Sequence, residues 1–80
     1  FNQATVKNLQ LSFQYFEREA GKLIRKNLLL PAYDMCLKCS HFFNLLDSRG
    51  AISVTERVKM IGQVRALVNQ IAARFSTEQS

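Results

Sequence analysis

The sequence predicts an all-α fold, an antiparallel three-helix bundle, and three observations predict it. Apolar residues recur in alternating steps of three and four along three stretches. No stretch alternates apolar and polar residues one by one, as a half-buried strand does. The connections between stretches are short and carry helix stop and start signals, and helices so joined pack as antiparallel neighbours. The helices are expected at 5–26, 31–48 and 54–75.

In the first stretch Val6, Leu9, Phe13, Phe16, Ala20 and Leu23 form one stripe. Thr5 suits an N-cap, and Lys22, Arg25 and Lys26 suit the negative pole of the helix dipole. Asn27, which tolerates a left-handed backbone, then stops the helix.

Pro31, with its fixed φ and missing amide hydrogen, suits the first position of the second helix. Asp34 is expected in its first turn, and Gly50 supplies the left-handed stop beyond Ser48. Ala32, Met35, Cys36, Cys39, Phe42, Phe43 and Leu46 share one stripe, while Tyr33, Leu37, His41 and Leu45 share the opposite one. A helix apolar on two sides should be the most buried of the three.

The third helix opens on Ser53-Val54-Thr55-Glu56, a capping box in which the Ser53 hydroxyl and the Glu56 carboxylate each accept from the other's amide. Val54, Val58, Ile61, Val64, Val68, Ile71, Ala72 and Phe75 are its expected inward stripe. Residues 76–80 are polar and are expected to end the helix and fray.

The 80 residues, 48% apolar and 21% charged, suit one folded domain, 1–80, and not a disordered tail. The longest apolar run, Leu28 to Tyr33, is far shorter than the roughly 20 residues that span a bilayer, so no membrane partner is expected. The start at Phe1, without a methionine or a leader, suggests a piece of a longer cytoplasmic protein with free thiols. A net charge of +5 favours contact with a polyanion such as RNA.

The candidates for chemistry are few. Cys36-Leu37-Lys38-Cys39 has C-x-x-C spacing, but His41 is the only further soft ligand nearby, so no metal site is assigned and the thiols read as small core hydrophobes. His41 has no nucleophile or second titrating group beside it in sequence and reads as a hydrogen-bonded structural histidine. No paired carboxylates, Ser/His/Asp set or phosphate-cradling glycine loop is present, so no catalytic or cofactor-binding residue is assigned. Arg57 and Arg65 project near the third helix's apolar stripe and need partners; Asp47 is the expected partner of Arg57 in a structural ion pair, and RNA contact by the two arginines is the alternative. On the outer side of the first helix stand Lys7, Leu11, Gln14, Arg18, Lys22 and Arg25, with Tyr15 at the edge. That basic face, interleaved with Leu11 and Tyr15, is the candidate contact for RNA or a partner; its alternative is a solvated face steadied by Glu19.

The run LPAYDMCLKCSHFFNLLDSRGAISVTER, from Leu30 to Arg57, resembles the C-terminal region of the glycyl-tRNA synthetase α subunit of the bacterial α/β type. That family reads approximately LPAYD, two variable positions, LK, a small residue, SH, then FNLLD, an Arg and AISVTER, and each part occurs here in order. Met35, Cys36 and Cys39 depart from it while keeping apolar character. The resemblance implies a parent glycine–tRNA ligase, a class II aminoacyl-tRNA synthetase that forms a glycyl-adenylate from ATP with magnesium on an antiparallel-sheet catalytic domain. It places the catalytic motifs before Phe1, so this chain would be a non-catalytic helical domain that helps position tRNA-Gly or the β subunit. It further implies an α-subunit homodimer in the parent. The alternative is a stand-alone helical protein-interaction module without enzymatic activity.

Overall fold

The computed structural model describes residues 3–79. It holds three helices, α1 (Gln3–Arg25), α2 (Leu29–Ser48) and α3 (Val54–Gln79), and no strand among the described residues. Each runs back along the one before, giving an up-down-up bundle 49 Å long and 20 Å by 14 Å across.

Both interhelical turns are built by the residues whose backbone freedom marks them in the sequence. Asn27 takes φ 61° and Gly50 φ 63°. At the first turn the Asn27 amide donates to the Ile24 carbonyl and the Leu28 amide to the Leu23 carbonyl. At the second, Gly50 donates to Asp47 and Ala51 to Leu46 in the same pattern. These paired bonds are Schellman motifs, which satisfy the last carbonyls of a helix and reverse the chain. The third start is the capping box: the Glu56 amide donates to Ser53 Oγ at 3.1 Å, and the Ser53 amide to Glu56 Oε1 at 3.3 Å.

Several boundaries differ from the sequence reading. α1 already includes Gln3, so Thr5 lies within the helix and is not its cap. α2 begins at Leu29, which puts Pro31 at its third position. The first turn still suits proline, because an amide there has no intrahelical acceptor. Asp34 falls beyond that turn and instead pairs with Lys38 one turn on, at 3.2 Å. α3 continues through Gln79, with Thr77 Oγ1 donating to the Ala73 carbonyl at 3.0 Å. Its polar residues therefore do not end it at Phe75. Ser80, the last of the tail expected to fray, lies outside the described residues.

The core forms two clusters. Ala20, Ile24, Leu29, Ala32, Cys36, Leu67 and Ile71 fill one end. Phe13, Cys39, Leu46, Ile52 and Met60 fill the other, with Phe16, Phe42 and Phe43 packed against them. α2 supplies five of these buried residues, all from one side. The second apolar side expected for it does not enter the core: Tyr33, Leu37 and His41 are exposed and Leu45 is only half-buried, because α1 and α3 both pack against the first side. Small side chains at Ala20, Ala32, Cys36 and Cys39 let α1 and α2 approach closely, and the Cys39 thiol donates to the Phe13 carbonyl of α1 at 3.6 Å.

The inward face of α3 is the largest correction. Met60 and Leu67, absent from the expected stripe, are buried together with Ile71. Val54, Val58 and Val68, placed inward by periodicity, are 74%, 67% and 37% exposed, and Ala72 is also exposed. At 3.6 residues per turn, Val54 and Val58 stand roughly 120° to 160° round the helix from Met60. The cleft between α1 and α2 admits only one arc, and the longer Met60, Leu67 and Ile71 side chains reach into it. Ile24, likewise outside the expected stripe of α1, is 1% exposed at the centre of its cluster.

Candidate nucleic-acid interface

α1 buries one side completely enough that its other side is defined by subtraction. Phe13, Ala20 and Ile24 face α2 and α3, and Val6, Leu9, Phe16 and Leu23 pack at the edges of that stripe. Opposite them, Lys7, Leu11, Gln14, Arg18, Lys22 and Arg25 all stand exposed along the helix. Leu11 is 51% and Tyr15 50% exposed among these cations. The ridge bears four formal positive charges, at Lys7, Arg18, Lys22 and Arg25, and no carboxylate of its own. Glu19, beside the ridge, is held by Lys22 at 3.2 Å. Arg25 lies back over Gly21, whose missing side chain leaves the guanidinium room 3.5 Å from where a Cβ would stand.

The ridge borders two further features that its own periodicity does not reveal. Toward α3 a groove of about 210 Å³ is lined by Gln10, Phe13, Gln14, Glu56, Lys59, Met60 and Gln63. Toward α2, four rings follow one another across the seam. Tyr15 meets Phe16 edge to face at 5.2 Å, Phe16 stacks on Phe42 at 5.6 Å and 10°, and His41 meets Phe42 edge to face at 5.5 Å. Lys38 Nζ lies over the Phe16 ring at 5.5 Å and beside Asp34 Oδ2 at 3.2 Å. His41 is thus an exposed residue in aromatic contact and not the hydrogen-bonded packing residue its sequence position suggested.

The remaining candidates lie elsewhere. Arg57 Nη2 stands 2.6 Å from Asp47 Oδ1, an ion pair that ties the start of α3 to the end of α2. Arg65 is exposed beside a groove formed with Ser40, Phe43, Asn44, Ile61 and Val64. Cys36 and Cys39 are buried free thiols. Burial pushes the Cys36 thiol above its usual range. Burial, and to a lesser extent the neighbouring Cys36 and Glu17 charges, pushes Cys39 up to about 12. A thiol so raised is a poor nucleophile at neutral pH, so both act as packing groups.

A family model described as glycyl-tRNA synthetase alpha subunit matches residues 1–80. The chain belongs to that family. The glycyl-tRNA synthetase α subunit is part of an aminoacyl-tRNA ligase that serves protein biosynthesis, so a basic ridge here belongs to an enzyme whose substrate is itself a polyanion. Glu19, Asp34 and Asp47 are each engaged by a lysine or an arginine, and among the described residues no three His, Cys, Asp or Glu side chains converge. No helix of the described residues is long and apolar enough to cross a membrane.

Proposed function

We propose that this chain is the C-terminal, non-catalytic helical domain of the synthetase α subunit, a single unit over residues 1–80, and that the outer face of α1 helps to hold tRNA-Gly. The observation that carries this reading is the unbroken exposed ridge of Lys7, Arg18, Lys22 and Arg25, interleaved with Leu11 and Tyr15. Arg18, Lys22 and Arg25, at one-turn spacing, and Lys7, about three turns before Arg18, can each neutralise a phosphate, and counterion release makes the resulting affinity depend on salt. Positioning, and no chemical step, is the contribution of these residues. ATP and magnesium are assigned to the catalytic part of the parent enzyme, which works in the cytoplasm.

A second reading, contact with the β subunit, with another α subunit or with the catalytic domain, is favoured by a different surface. Leu30, Tyr33, Val68, Ile71, Ala72 and Phe75 line an apolar groove between α2 and α3, and Leu30 is 74% exposed. The two readings use different faces and are compatible. A stand-alone interaction module would use the same groove.

The test is charge reversal, Arg18→Glu with Lys22→Glu and Arg25→Glu, in the complete α/β synthetase. Binding of tRNA-Gly is expected to weaken, and the slope of log affinity against log salt to fall by roughly 0.7 to 0.9 for each phosphate left without its cation. Affinity and slope both unchanged would remove the RNA role of this face.

A further inference from the structure

We infer that the seam between α1 and α2 is a stacking platform for an unpaired nucleobase, built from Tyr15, Phe16, Phe42 and His41 and flanked by Arg18 and Lys38. The inference rests on the RNA reading of the α1 ridge and adds to it a second element, α2, and a ligand class. A ridge of cations alone reads only the phosphate backbone, whereas rings at its margin offer a base a surface on which to stack.

The arrangement separates structural rings from available ones. Phe16 and Phe42 are half-buried and stacked nearly parallel, 5.6 Å apart, which fixes α1 against α2. Tyr15 and His41 stand at the two ends of the row, each in a T-shaped contact with its phenylalanine at 5.2 Å and 5.5 Å, and both are exposed. Packing the two helices needs the inner pair only. The outer rings lie outside the core with much of their surface open to solvent, and base stacking tolerates any base because every base has a π face.

The charges around the row suit a nucleotide. Arg18 is one turn from Tyr15 on the ridge, and Lys38 lies over Phe16, one turn before His41. Glu19 and Asp34 are each neutralised by a lysine at 3.2 Å, while Glu17, next to Phe16, lies close enough to the seam for its charge to act on Cys39.

The experiment compares Tyr15→Ala with His41→Ala, combined, against Tyr15→Phe, in the complete α/β synthetase. tRNA-Gly affinity is measured across a salt series, and helical circular dichroism checks the fold. Loss of base stacking predicts affinity weakened roughly tenfold with the salt slope unchanged, while Tyr15→Phe, which keeps the ring, stays near wild type. Unchanged affinity in the double variant overturns the platform; the charge-reversal variant then shows separately whether the ridge still binds RNA. A salt slope reduced as in charge reversal also overturns it, since that signals phosphate and not base contact. Weakened β-subunit association with tRNA affinity intact overturns it too, by assigning the rings to a protein partner.

Discussion

The two outer helices cover the same middle helix by different means. α1 divides along one line: Phe13, Ala20 and Ile24 go inward, and its outward face is a row of cations with only Leu11 and Tyr15 among them. α3 does not divide. It buries Met60, Leu67 and Ile71 but leaves Val54, Val58 and Val68 facing outward. Outward apolar residues stabilise this bundle little, so α1 is matched to water and polyanions whereas α3 keeps apolar surface in reserve. The contrast teaches that an apolar residue at helical spacing specifies a face, and the neighbouring helices decide whether that face is the core.

Substitutions along the two helices break the comparison or sharpen it. Phe13→Ala on α1 removes a buried ring from the aromatic end of the core and is expected to cost about 3 to 5 kcal/mol in urea denaturation. Met60→Ala on α3 is expected to cost about 2 kcal/mol, while Val58→Ser, though the swap is more polar, stays within about 0.5 kcal/mol. If Val58→Ser proved the costlier of the two, α3 would have to turn its valine arc, and not Met60, toward the core.

The subtlest expected effect is on pH dependence. Cys39 keeps its proton in the fold up to about 12, against 9.0 for an ordinary thiol. Between those values the unfolded chain releases a proton that the folded chain retains, so stability falls as pH rises above about 9. Denaturant midpoints from about pH 8 to 11 should decline more steeply for the wild type than for Cys39→Ala. Parallel declines would show that Cys39 does not carry this dependence.

Much of the fold was legible in the sequence, and what was not has physical reasons. Asn27, Gly50 and the Ser53–Glu56 box mark helix ends because each turn needs a specific backbone freedom or acceptor, and the structure uses all three. The basic ridge was legible because α1 has a single apolar stripe. The phase of α3 was not, since its branched residues occupy two neighbouring arcs and only the width of the α1–α2 cleft selects between them. The Tyr15–Phe16–Phe42–His41 row was hidden for another reason: it depends on the register of α1 against α2, which no single-helix pattern contains.

The most direct test of the tRNA-facing ridge is lysine acetylation footprinting of the complete α/β synthetase, with and without tRNA-Gly, read by mass spectrometry. Lys7 and Lys22 are expected to be modified more slowly when tRNA is bound. Equal modification of both lysines in the two states would contradict a tRNA-facing α1.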